Sequence, residues 1–182
     1  MNYGFPIVHP VNWLLPENIS IVRYDTARNR PSKLRAVHFY VDDFRMNTTF
    51  HKPAKCLDYV RGFQFAVGPD FSVAIDLPHA VNVWNVFRSR WVSRFWQENN
   101  IKVVPSVTWG SFESFAYVFQ SLPSASVLSV RCDVDDSSNP LFLEGYEYMC
   151  SLLKPKLVLV LGNIPVDLHS FASFSCYPLK YL

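Results

Sequence analysis

The sequence predicts an α/β fold: a mostly parallel sheet of about five strands with crossover helices, either doubly wound or an incomplete (β/α) barrel. Three observations carry this expectation. Five short runs rich in β-branched and aromatic residues stop at Gly, Pro, Asp or Asn, as strands buried on both faces do. Helical segments separate them, and regular strand–helix alternation implies parallel strands joined by crossovers. The chain has 182 residues, 49% of them apolar and 16% aromatic, enough to bury a substantial core.

The elements follow in order. Residues 1–33 are rich in Pro and Asn and read as an irregular arm, with "NISIVRY" as a short edge strand. The core runs from 34 to 163. Its strands are "LRAVHFYVDD", "FQFAVGPDFS", "KVVPSVTWG", "SVLSVRCD" and "KLVLVLGN". Its helices are "PAKCLDYVRG", "VNVWNVFRSRWVSRFWQ", "SFESFAYVFQSL" and "NPLFLEGYEYMCSLLK". Asn139–Pro140 places a capping side chain before a proline at the first helical position. Ser111 is placed to cap the helix after "VTWG", and Pro78 to open the tryptophan-rich helix. Residues 164–182 read as a surface tail. The whole is one expected domain, with too few units for an eight-stranded closed barrel.

The tryptophan-rich helix contains a misfit. At 3.6 residues per turn, Val81, Trp84, Trp91, Val92 and Phe95 form one apolar stripe, so the tryptophans read as core. Arg90 lies opposite and is expected in solvent. Arg88 falls inside the stripe. An arginine keeps its charge, so Arg88 requires a partner, with Asp70 and Asp76 the leading carboxylates and Asp43 a third. A structural ion pair of Arg88 with Asp70 is the expectation.

Charge is spread unevenly. The net charge is only +2, but residues 1–61 hold nine Lys/Arg against five Asp/Glu, and residues 111–182 hold four against seven. The basic excess centres on Arg23, Arg28, Arg30, Lys33 and Arg35, a solvated loop or a phosphate-contacting arm. Cys56, Cys132, Cys150 and Cys176 show no CxxC spacing and read as reduced thiols of a cytosolic protein. No signal peptide or membrane span is expected.

Open α/β sheets bind ligands beyond the carboxyl ends of their strands. Those ends present Asp43 and Asp70 as a candidate acid/base pair or as oxygen ligands for a divalent cation. Arg45, Ser72, Trp109, Ser111 and Asn163 are candidate ligand contacts. "WGS" before a helix offers backbone N–H groups to an anion. "DVDDSSN" lacks the glycine and distant glutamate of an EF-hand loop and reads as a solvated loop. His38 reads as a core histidine. The other histidines form no zinc spacing, and GxGxxG, GxxxxGK[ST] and GxSxG are absent, so neither a zinc site nor a glycine-rich phosphate loop is indicated, and the cofactor is unknown from sequence.

Several motifs together carry a family resemblance: "VHFYVDDFR", "VGPDFS", the W-x(3)-R-x-R-W pattern of "WNVFRSRW", "VVPSVTW" and "LVLVLGN". Residues 34–163 resemble the domain-of-unknown-function family 4417. The resemblance implies a protein of a phage or mobile element, working in the cytoplasm of a bacterial host. It implies no catalytic residues. The functional expectation is therefore a domain that binds or processes a phosphate-bearing ligand, a nucleotide or nucleic-acid end, at the strand carboxyl ends. The alternative is a non-catalytic accessory protein whose partner is nucleic acid or a host protein. A third reading is an assembly protein presenting Phe5, Trp13, Tyr177 and Tyr181 as an aromatic patch.

Overall fold

Among the described residues, every strand pairs in parallel with a neighbour in sequence. The structure, a computed structural model, describes residues 2–27, 31–133 and 139–162 and the backbone of 174–177. Strands β1 (Ser20–Arg23), β2 (Arg35–Phe39), β3 (Ala66–Pro69) and β4 (Val103–Val104) form one sheet in that order. Strands β5 (Val127–Cys132), β6 (Leu157–Gly162) and β7 (Phe174–Tyr177) form another. A parallel bridge between Ser106 and Ser129 joins them. There the Ser129 N–H donates to Pro105 O at 2.9 Å and the Val107 N–H to Ser129 O at 2.8 Å.

Strictly sequential order excludes the doubly wound alternative and leaves an incomplete (β/α) barrel, with β1 and β7 as its outer strands. Side-chain alternation confirms the curvature. One face of the strands supplies Ile21, Ala36, Phe65, Val67, Val104, Leu159 and Leu161 to a single buried cluster. These residues come from β1 through β4 and from β6, with Phe65 just ahead of β3, so the two sheets wrap around a shared interior. The opposite face packs on helices α1 (Asp43–His51), α2 (Pro53–Arg61), α3 (His79–Glu98), α4 (Phe115–Val118) and α5 (Pro140–Leu153).

The arm has a defined course. Phe5 and Val8 are buried, the Val8 N–H donates to Ser121 O, and His9 exchanges two hydrogen bonds with the Gln97 side chain. Val11 N–H donates to Ser126 Oγ, and Trp13 packs on Phe65 with ring centroids 5.1 Å apart. Phe65 and Ser126 directly precede β3 and β5, and Lys102, whose ammonium lies over the Trp13 ring, directly precedes β4, so this part of the arm crosses the amino ends of the barrel. Phe5 is buried and Trp13 half-buried, so the expected exposed aromatic patch does not form from them. The Tyr177 side chain and Tyr181 lie outside the described residues.

Helix α3 departs from its expected facing. Its buried residues are Asn82, Asn85, Val86, Arg88, Ser89, Arg90, Val92, Ser93 and Trp96, a face centred about a quarter-turn from the aromatic stripe. Of its three tryptophans, Trp84 is 48% exposed and only Trp96 is fully enclosed. Arg90, expected in solvent, is buried and donates to three carbonyls: Val118 O at 2.5 Å, Ser106 O at 3.3 Å and Gln120 O at 3.4 Å. The physical reason is that backbone carbonyls at a loop can solvate a guanidinium fork as water does. Gly68 completes the fit: a Cβ there would sit 2.6 Å from Ser93 Oγ on the helix.

Two elements were not visible in sequence. Helix α1 begins at Asp43, the last residue of the expected strand, and β7 lies in the expected tail. Asn139 caps α5 as expected, its Oδ1 accepting from the Leu141 N–H at 3.0 Å. Cys56, Cys132 and Cys150 are buried thiols. Among the described residues no helix is long and apolar enough to cross a membrane.

Candidate functional site

Parallel strands bring their carboxyl ends to one mouth, and a cleft of about 300 Å³ opens there between the ends of β3, β4 and β5. Asp70, Ser72, Trp109, Arg131, Asp133 and Asn139 are among its lining residues. Asp70 directly follows β3. Its Oδ1 is shut off from solvent and has no hydrogen-bond partner among the described residues. Burial pushes its carboxyl up to about 7; nearby Arg131 opposes this shift, Asp43 adds to it, Arg90 opposes it and Asp133 adds to it. Arg131 points from β5 into the same cleft, its Nη2 2.5 Å from Asp133 Oδ2.

Behind the cleft, the barrel interior turns polar. The Tyr40 hydroxyl donates to Ser129 Oγ at 3.0 Å, which donates to Leu159 O at 3.0 Å. Burial and the Asp70 charge hold the Tyr40 phenol well above its usual range. His38 is enclosed, and its Nδ1 accepts from the Tyr40 N–H at 3.2 Å. Burial, with Arg23 and Arg131 nearby, depresses its imidazole to about 3, so it is a neutral core histidine as expected.

Asp43 is the first residue of α1 and faces Ser72 and Arg88. Its Oδ1 accepts from the Ser72 N–H at 3.0 Å and from Ser72 Oγ at 2.9 Å. Its Oδ2 accepts from Arg88 Nη2 at 3.4 Å. Arg88 is buried with a carboxylate in reach, but that carboxylate is Asp43, not Asp70. Asp76 is exposed. Arg88 also donates to Asn47 Oδ1 at 3.0 Å and to Asn85 Oδ1, and its guanidinium lies 3.8 Å from the Phe71 ring centroid. Asn85 Nδ2 donates to Ser72 O, Ser89 Oγ accepts from the Phe71 N–H, and Asn82 spans Ala74 with two bonds. The polar face of α3 therefore fixes residues 71–74, the segment that forms one wall of the cleft. Small polar residues at positions 82, 85, 89 and 93, at helical spacing, were the sequence signal for this face.

Trp109 lines the cleft from the other side. Its Nε1 donates to Leu141 O at 3.2 Å, and its ring packs on Phe142 at 5.4 Å. Gly145 leaves the space for it, since a Cβ there would lie 2.2 Å from Trp109 Nε1.

The remaining candidates lie elsewhere. Arg45 is bonded to Asp42 at 3.0 Å and to Asp25 at 3.1 Å, away from the cleft. Ser111 precedes a single 3₁₀ turn, Phe112–Ser114, without a side-chain cap bond. The Gly110 N–H meant for an anion is already taken by Ser114 Oγ at 3.1 Å. Asn163 and most of "DVDDSSN" lie outside the described residues. So do Arg28 and Arg30 of the basic stretch; Arg23 is held by Asp25 through two 2.7 Å bonds, and Lys33 donates to the carbonyls of Arg61 and Phe63. Arg131 and Tyr40 are the contributions that sequence reading undervalued. Arg131 on β5 and Tyr40 just past β2 both have apolar sequence neighbours, which periodicity alone reads as core.

The comparisons with known proteins extend the resemblance beyond the central motifs. The model of the family Domain of unknown function (DUF4417) matches residues 1–176, taking in the arm and most of the tail. The Gene 1 protein of Mycobacterium phage L5 is 33% identical over 132 residues, 71% of this chain and 58% of that protein. The Gene 1 protein of Mycobacterium phage D29 is 33% identical over 168 residues, 89% of this chain and 61% of that protein. The chain thus spans about three-fifths of the length of these relatives. No solved structure matches it. With nearly its whole length matched, arm, barrel and mouth included, the chain belongs to the DUF4417 family.

Proposed function

We propose that the mouth cleft binds a phosphate-bearing ligand, a nucleotide or the end of a nucleic-acid strand, and that Asp70 exchanges a proton with it. The observation that carries this reading is the Asp70 carboxyl: desolvated, without a partner on Oδ1 among the described residues, and facing a cleft beside Arg131. A carboxyl that titrates near 7 takes or gives a proton at neutral pH, the property a general acid or base requires. Arg131 supplies the cationic fork that suits a phosphate. Asn139 places the first turn of α5, the positive end of that helix, at the cleft's edge.

The cavity of about 300 Å³ stands at the lower end of small-molecule sites, ~300–1,000 Å³. It suits one mononucleotide and excludes a duplex. Trp109 forms a wall for base or sugar, and Ser72 a polar rim. Asp43 acts through Ser72 and Arg88 as a positioning residue. In this reading the protein works in the cytoplasm of the phage's bacterial host.

A thermal-shift screen of nucleotides, short oligonucleotides and divalent metals tests the reading. Nucleoside phosphates are expected to raise the melting temperature of the wild-type protein, with the shift lost in Asp70→Asn and in Arg131→Ala. No shift with any nucleotide, or one that survives both substitutions, overturns it.

A further inference from the structure

The opposite end of the barrel carries the reverse charge character. Because all strands run parallel, the residues that precede them gather at the amino face. Lys33 precedes β2, Lys102 precedes β4 and Lys156 precedes β6, whereas the carboxyl ends are followed by Asp25, Asp42, Asp70 and Asp133. Two adjoining clefts of about 480 and 610 Å³ run across the amino face and share Asn100, Ile101 and Lys102. Lys33 and Arg61 line one, and Trp13 and Arg94 the other.

The cations there are only partly neutralised. Arg94 pairs with Glu98 at 2.8 Å and Arg61 with Asp58 at 3.2 Å, both near the surface. Lys33 donates to carbonyls, which orient its ammonium without cancelling its charge. Lys102 is exposed, forms no salt bridge among the described residues, and lies 5.3 Å from the Trp13 ring centroid. A lysine beside a half-buried indole, in a cleft that also holds side-chain amides, combines phosphate attraction with a stacking surface.

We infer that this amino-face groove binds the phosphodiester backbone of single-stranded nucleic acid. A flexible strand can follow two joined concave clefts, whereas a rigid duplex would bridge their rims. The groove lies at the other end of the barrel from the mouth cleft, and the inference does not depend on the function proposed for that cleft.

Fluorescence anisotropy with a labelled mixed-sequence DNA strand of about 12 nucleotides tests it, over about 50 to 200 mM salt. Binding is expected to weaken with salt along a log–log slope of about −2, at ~0.7 per phosphate contact. Lys102→Glu and Arg61→Glu, both at exposed positions, should each weaken binding roughly fivefold and flatten the slope by about 0.7. Lys55→Glu, outside the groove, should leave both unchanged. Any one of four results overturns the inference: no binding at low salt, a salt-independent signal, full binding by Lys102→Glu and Arg61→Glu, or equal binding of a duplex or polyglutamate.

Discussion

The Tyr40 hydroxyl reaches across the barrel interior from the end of β2 to Ser129 Oγ on β5, 3.0 Å away. Two strands, β3 and β4, stand between them in the pairing order. Tyr40→Phe removes the donor and leaves Ser129 Oγ one bond short in a dry interior. The expected loss is about 1–2 kcal/mol of unfolding free energy in urea titration. Tyr40→Leu should cost more, because Tyr40 belongs to the interior cluster as well.

Arg88 and Asp43 form the second cross-element tie. Arg88→Met leaves Asp43, Asn47 and Asn85 without their shared donor and is expected to cost about 2–4 kcal/mol, less than a fully enclosed pair. Asp43→Asn keeps an acceptor for Ser72 and should cost about 1 kcal/mol. Urea midpoints of the two single variants and the double variant give the coupling directly.

Asp70 gives the folded state a pH signature of unusual sign. Its carboxyl is raised to about 7 from an ordinary 3.8, so the folded protein holds more protons than the unfolded chain between those values. Stability from this group is full below about pH 4 and falls as pH rises to about 7. Asp70→Asn should match the wild type at pH 4 and exceed it at pH 8 by about 2–4 kcal/mol. Chemical denaturation at the two pH values checks this.

His38 contributes the opposite slope. Its imidazole is depressed to about 3 from 6.5, so stability from this group rises with pH across that interval. NMR of the His38 ring nitrogens should report a neutral imidazole from about pH 5 to 8.

Gly145→Ala tests the seat of Trp109. The added methyl should raise helix propensity by about 1 kcal/mol. It would lie 2.2 Å from Trp109 Nε1, on a ring pinned by Leu141 O and Phe142. Displacement of the indole should win, for a net loss of about 1–3 kcal/mol and altered tryptophan fluorescence.

The strands were legible because each is a short apolar run ended by a residue that breaks it. Parallel order followed from the helices between them. Open sheet and incomplete barrel could not be separated, since both bury strands on two faces; that choice rests on which strands share Leu159 and Leu161 as neighbours. Helix α1 stayed hidden because "DFRMNTTFH" follows a strand directly and has no strong apolar stripe. Helix α3 misled because its tryptophans outweigh its serines and asparagines on any hydrophobic scale. Those small polar residues instead bind loop backbone, an interaction that periodicity does not register. Asp70 and Trp109 were legible as strand-end residues, whereas the pairing of Arg88 with Asp43 needed the position of α1.

The arm has a consequence for the order of assembly. Its holding points are Gln97, Ser121 and Ser126, more than 80 residues downstream of the segment they secure. During synthesis each strand can join the one made just before it, in a steady progression from the ribosome. Residues 2–12 cannot complete their docking until Ser126 has emerged, so this segment is a latch that closes late.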